Sequence, residues 1–366
     1  MSDLVEKLVC DNVKALTPYE SARRLFATGD DTQSQQVWLN ANESPFHNAF
    51  QVDDSRFNRY PDCQPSGLIK AYAKYAGTGI EQTLVTRGAD EGIELLIRTF
   101  CNPRTDSILI CPPTYGMYAI SAQTCDVAVK KVPLKDNFSL DVEAICQHKD
   151  QVKLVFVCSP NNPTGTSVEK QQLRSLVEHF ANSALVVVDE AYIEFDKENT
   201  WATELSRYPN LVILRTLSKA YALAGLRCGF TLASSPIIKA LLKVIAPYPI
   251  PEPVAQIAQQ ALTEAGVDNM LKQVDYLAIQ RNKLHRYLKT IKQVELVGDD
   301  KANFILFRTP LKSQLMQFLV EHNVFIRDQS KQLNLNNCLR ITVGNDQQNQ
   351  HLMDLITSFY NTQEIA

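Results

Sequence analysis

The sequence predicts an α/β chain: a large, doubly wound, mostly parallel sheet domain with a smaller α+β domain behind it. Three observations predict it. Apolar runs alternate with helix-patterned stretches from about residue 80 to about 245. Several of those runs are too uniformly apolar for a half-exposed strand, which argues for a sheet covered on both faces. A proline-dense break, Pro247-Tyr248-Pro249-Ile250-Pro251-Glu252-Pro253, then leads into a long helical region and a shorter set of strands and helices. A length of 366 residues is also too great for one small core.

Taken in order, residues 1–44 read as an arm that packs with the small domain. It has an amphipathic start (Leu4, Val5, Leu8, Val9) and Asn- and Pro-punctuated loops up to Glu43. The large domain is expected over 45–275 and the small one over 276–366. Asn58-Arg59-Tyr60-Pro61 is a loop, and Pro65-Ser66-Gly67 opens a helix. Leu84-Val85-Thr86 is a short strand before Arg87-Gly88-Ala89-Asp90-Glu91-Gly92, a small-residue turn at a helix start whose backbone N–H groups suit an anion. Most such turns bind nothing, so the motif alone decides little. Ser107 to Cys111 is a strand ending at Pro112-Pro113, and Tyr115 follows as either a core ring or one that stacks on a flat ligand. Lys153 to Cys158 is a buried strand that runs into Ser159-Pro160-Asn161-Asn162-Pro163-Thr164-Gly165, and a helix is expected over 168–181. Ala184 to Val188 is another buried strand, with Asp189 and Glu190 at its carboxyl end, the edge where open α/β sheets gather ligands. Leu211 to Leu214 leads to Lys219, which lies among Leu217, Ala220, Ala222 and Leu223, with Arg227 eight residues on. Apolar surroundings and a second cation lower a lysine's pKa, and the free amine can condense with an aldehyde. Read alone, the same lysine also fits a strand-end side chain reaching solvent.

Composition narrows the function classes. Apolar residues make up 45% and charged residues 21%, and the net charge is −3. No basic tract points to nucleic acid or a membrane surface. The first residues lack the basic and apolar regions of a secretory signal. The nine cysteines are scattered without a CxxC, which favours a reducing cytoplasm over a disulfide framework. The six histidines form no HxxxH or HExxH pattern, so no metal is expected. No GxGxxG follows a strand, which excludes a dinucleotide-binding oxidoreductase.

Together these motifs resemble a known family. Thr216 to Gly225 resembles the lysine signature of the class II aminotransferases. Asn162-Pro163-Thr164-Gly165, Asp189-Glu190-Ala191-Tyr192 and Leu339-Arg340-Ile341-Thr342 follow the order typical of fold type I pyridoxal-phosphate enzymes. The resemblance covers nearly the whole chain. Leu16-Thr17-Pro18-Tyr19, Asn58 to Pro61, Arg87 to Glu91 and Pro112 to Tyr118 are similar to the branch of that family acting on histidinol phosphate.

The resemblance implies pyridoxal 5′-phosphate bound at Lys219, which would also move the substrate's α-proton. It implies Asp189 against the pyridine nitrogen, Asn162 and Tyr192 on the phenolic oxygen, and Tyr115 stacked on the ring. Ala89, Asp90, Thr216, Ser218 and Arg227 would take the cofactor phosphate, joined by Tyr60 of the neighbouring subunit in a homodimer with shared sites. Arg340, helped by Arg327 and Tyr19, would anchor the substrate. A guanidinium fork suits both a carboxylate and a phosphate. The implied reaction is reversible transamination of L-histidinol phosphate with 2-oxoglutarate in histidine biosynthesis. Threonine-phosphate decarboxylase and an aromatic amino acid aminotransferase are the rivals within the fold. A non-catalytic cofactor-binding regulator is the rival of another class, though no basic recognition helix accompanies it.

Overall fold

The computed structural model describes residues 3–16 and 36–364. Short helices α1 (Asp3–Leu8) and α2 (Asp11–Lys14) and strand β1 (Val37–Trp38) precede the large unit. That unit runs α3 (Ser66–Ala76), β2 (Thr83–Thr86), α4 (Gly88–Phe100), β3 (Ser107–Ile110), α5 (Met117–Thr124), β4 (Ala128–Lys131), α6 (Val142–Cys146), β5 (Leu154–Cys158), α7 (Lys170–His179), β6 (Leu185–Asp189), β7 (Leu211–Thr216), β8 (Gly229–Ala233), α8 (Ser235–Leu241) and α9 (Glu252–Ala261). Helix α10 (Glu264–Leu288) leads to β9 (Glu295–Val297), β10 (Phe304–Arg308), α11 (Lys312–Glu321), β11 (Val324–Phe325), β12 (Arg327–Asp328), β13 (Cys338–Thr342) and α12 (Asp346–Glu364).

Seven strands form the main sheet in the order β2-β8-β7-β6-β5-β3-β4. All run parallel except β8, which is antiparallel to both its neighbours. The central runs are buried on both faces. Val155, Val157, Val186 and Val188 join one core with α3, α7 and α9, whereas Leu154, Phe156 and Val187 join a second core with α4, α5 and α8. Each such side chain contributes about 1.5–3 kcal/mol of burial, which is why uniformly apolar runs here mark strands between two helix layers.

The second sheet is antiparallel, in the order β12-β13-β10-β9, and its core is shared with α10, α11 and α12. Residues 37–39 belong to this core as well. Strand β1 pairs in parallel with β11, and Leu39 is buried among the side chains of the carboxyl-terminal unit. Helix α10 is continuous through residue 275, so no break in the backbone marks a division there. The stretch 324–328 does not form one strand. It changes sheets at Ile326, pairing with β1 before it and with β13 after it.

Candidate active site

At the carboxyl edge of the main sheet, Asp189 and Thr216 end β6 and β7, Ala89 and Asp90 open α4 after β2, and Tyr115, Asn162, Tyr192, Lys219 and Arg227 lie beyond the ends of β3, β5, β6 and β7. The connection from β7 to β8 stays at that edge, because Thr216 and Gly229, its two ends, are register partners. The reversal of β8 therefore keeps Lys219 and Arg227 on one loop at one edge.

Lys219 is half-buried. Its Nζ donates to the Ala41 carbonyl at 2.9 Å and lies 5.7 Å from the centre of the Tyr192 ring. Burial pulls its pKa down to about 8, helped by the positive charges of Arg340 and Arg227 and opposed by Glu43 and Asp90. A base with a depressed pKa is unprotonated above that value. About one amine in ten is then free at pH 7, against about one in three thousand for an unperturbed lysine. Labelling of the cofactor-free protein by an amine-acylating reagent, read by peptide mass spectrometry, should rise at Lys219 up to about pH 8 and level off. Labelling of exposed lysines should keep rising beyond pH 10. A Lys219 profile matching theirs would contradict the shift.

The acidic pair at the end of β6 separates into two tasks. Glu190 is a structural partner: Arg215 donates to it at 2.7 Å and the Trp201 amide at 2.6 Å, all deep in the core. Asp189 is 2% exposed. Its Oδ2 accepts from the Tyr118 hydroxyl at 2.6 Å and its Oδ1 from the Ala191 amide at 3.1 Å. Burial pushes its pKa up to about 6, while the Tyr118 and Ala191 bonds hold it down.

Asn162 and Tyr192 converge on the Lys219 side of the edge. Arg340 donates to Asn162 Oδ1, so the group Asn162 can offer a ligand as donor is its amide nitrogen. The Tyr192 oxygen accepts from Asn42 at 2.8 Å, which leaves its own proton to give. Arg340 comes from β13. Its second terminal nitrogen donates to the Asn40 carbonyl at 2.9 Å, and its guanidinium lies 5.3 Å from the Phe304 ring centre. Arg327 is its cross-strand neighbour in register. Two guanidinium-bearing residues directly opposite on one sheet face are unfavourable without an anion between or beside them.

The turn between β2 and α4 has the form of a cup suited to an anion. Arg87, just before the helix, gives no side-chain cap to its first-turn amides, which include those of Ala89 and Asp90. Arg227 reaches over them, donating to Ser218 Oγ at 3.3 Å and to Asp90 at 3.2 Å. Gly88 has φ +78°, and a Cβ there would stand 2.8 Å from the Arg227 guanidinium, so only glycine leaves this approach open. Gly229 is needed from the other side: a Cβ would lie 2.5 Å from the Gly88 backbone. Thr216 stands one step behind. Its hydroxyl donates to Ser218 Oγ at 2.9 Å and accepts from the Ser218 amide, so it orients Ser218. Tyr115 closes the cup, donating to Asp90 at 2.9 Å with its ring edge-on to Tyr118.

Tyr60 stands apart on the surface, 77% exposed and stacked on Tyr248. Tyr19 lies outside the described residues. Sequence reasoning passed over Tyr118, over the 40–42 backbone that receives Arg340 and Lys219, and over Asn161. Asn161 accepts from Thr114 and donates to Pro113 and Thr164, pinning the loop that presents Asn162. Tyr118 and Asn161 stood inside quoted motifs, but only their partners show what they do.

The donor set fits pyridoxal phosphate: an amine with a depressed pKa, a buried carboxylate, two donors for one oxygen, and an uncapped helix start beneath an arginine. A model of aminotransferase class I and II matches residues 25–356. The histidinol-phosphate aminotransferase of Pseudoalteromonas atlantica is 64% identical over 99% of this chain and 97% of its own. That of Citrobacter koseri is 52% identical over 96% of each. Among solved structures, the histidinol-phosphate aminotransferase of Sinorhizobium meliloti in complex with pyridoxal-5′-phosphate has a TM-score of 0.82 at 21% identity, covering 96% of this chain and 98% of that one.

Proposed function

The chain belongs to the class I and II aminotransferases, and on that premise we propose how its own residues carry an amino group from L-histidinol phosphate to 2-oxoglutarate. The reaction is reversible, gives imidazole-acetol phosphate and glutamate, and belongs to histidine biosynthesis. Its cofactor is pyridoxal phosphate, which when bound supplies an aldehyde to take up the amino group and a ring to withdraw electrons from the carbon losing its proton.

One observation carries the reading: Arg340 and Lys219 donate to the adjacent backbone carbonyls of Asn40 and Ala41, each at 2.9 Å, which brings the two side chains to one place. An anion held by Arg340 would therefore sit near the lysine amine. Lys219 would hold the cofactor between turnovers and, once released, take the proton from the amine-bearing carbon of the substrate. Ionised Asp189 would keep a proton on the ring nitrogen. Asn162 and Tyr192 would donate to the phenolic oxygen, and Tyr115 would cover the ring. Ala89, Asp90, Ser218 and Arg227 would hold the phosphate, with Thr216 keeping Ser218 in place. Arg340 and Arg327, with Tyr19, would grip either the phosphate of one substrate or the carboxylate of the other. Glutamate formation from L-histidinol phosphate and 2-oxoglutarate tests the assignment. Carbon dioxide released from threonine phosphate, without glutamate, would overturn it.

The same reading includes a cytoplasmic homodimer. Nine unpaired cysteines suit a reducing compartment. Exposed Val52, Phe57, Tyr60 and Tyr248 give the surface apolar side chains that a second copy would cover. Tyr60 would then complete the partner's phosphate cup. Mixing Lys219→Ala with Tyr60→Ala protein should restore activity above the sum of the two, since one site of each mixed dimer is intact. Activity equal to that sum would refute shared sites. No nucleic acid or membrane enters this reading, and no helix among the described residues is long and apolar enough to cross a membrane.

A further inference from the structure

We propose that Tyr118 is a positioning residue that holds Asp189 in one orientation as the ionised carboxylate required by the cofactor's ring nitrogen. The inference rests on the cofactor reading above and adds to it a residue the motifs leave without a role.

The geometry is restrictive. Tyr118 is fully buried on α5. Its ring stacks on Phe156 of β5 at 4.9 Å and 16° and meets Tyr115 edge-on at 5.7 Å. Those contacts fix where its hydroxyl points, and that hydroxyl donates to Asp189 Oδ2 at 2.6 Å. The Ala191 amide takes Oδ1. Each carboxylate oxygen thus has one fixed donor, and the plane of the group is set before any ligand arrives.

The charge balance explains why the hydroxyl is needed. Burial opposes ionisation of Asp189, and the negative charges of Asp90, at the start of α4, and of Glu190, its chain neighbour, oppose it further. Cys158, its register partner on β5, and Tyr192, just beyond β6, also face it. Burial holds both of those groups in their neutral forms. The Tyr118 and Ala191 bonds act the other way, and of the two the Tyr118 bond has the larger effect. The hydroxyl cannot ionise in competition, because burial and Asp189 push its own pKa far up. A hydrogen bond to a charged acceptor is the strong kind, so its loss should move Asp189 by about one to two pH units.

The test is the pH dependence of pyridoxal phosphate binding, followed by the absorbance of the bound cofactor, in wild-type protein and Tyr118→Phe. The cofactor is the same in both, so its own titrations cancel. Affinity should fall as pH drops through the Asp189 pKa, and in Y118F the midpoint should move up by about one pH unit or more. Y118F keeps the ring stack and should fold, as circular dichroism would show. Incorporating 3,5-difluorotyrosine at position 118, a stronger donor of the same shape, should move the midpoint down. In an Asp189→Asn background, Y118F should leave the profile unchanged. Superimposable wild-type and Y118F profiles would overturn the role of Tyr118 while leaving the cofactor site standing. Failure of wild-type protein to bind the cofactor would overturn the site itself.

Discussion

Replacing Lys219 by alanine is expected to lower the rate of amino transfer by about 10⁴-fold or more, with the fold intact. Two losses combine. On the proposed roles, the chain would lose the amine that holds the cofactor and the base that stands beside the anion gripped by Arg340. The Nζ bond to the Ala41 carbonyl is the main packing contact forfeited, at 2.9 Å on a half-buried side chain. That is worth only about 1 kcal/mol to stability. Circular dichroism and the unfolding midpoint should therefore match wild type while glutamate formation vanishes. Residual activity within tenfold of wild type would remove Lys219 from the centre of the reaction.

The second large effect is expected at Arg340. Arg340→Ala should reduce kcat/KM for both L-histidinol phosphate and glutamate by about 10²-fold or more, since truncating one partner of a buried, charge-assisted contact costs about 2–5 kcal/mol. Arg340→Lys should recover little. An ammonium cannot span Asn162 Oδ1 and the Asn40 carbonyl as the guanidinium does. Arg340 depresses the Lys219 pKa, so R340A should also move the amine's titration upward. A purely structural arginine would lower stability and leave kcat/KM of the folded protein near wild type for both substrates.

Much of the architecture was legible because the buried strands of a two-sided sheet are continuous apolar runs, as in Leu185 to Val188 and Leu211 to Leu214. Direction was not legible. Nothing in Gly229 to Ala233 marks which way β8 points, and only its pairing with β2 and β7 shows that it turns back. The break at Ile326 was hidden for a similar reason, since hydrophobicity does not say which sheet a residue joins. At the site, the residues at the carboxyl ends of strands were legible, because special residues follow apolar runs there. The division of labour between Asp189 and Glu190 was not. It depends on Arg215 and Tyr118, which look like ordinary strand and core residues until their hydrogen bonds are drawn. The carbonyls of Asn40 and Ala41 carry no side-chain signal, and their partners lie 300 and 178 residues away.

The most direct measurement is a single half-reaction. Cofactor-loaded protein is mixed with excess L-histidinol phosphate and no 2-oxoglutarate, and imidazole-acetol phosphate is counted. One equivalent per subunit should form, turnover should stop, and adding 2-oxoglutarate should restart it with matching glutamate. Continuous turnover without 2-oxoglutarate, or none with it, would contradict amino-group transfer by way of the cofactor.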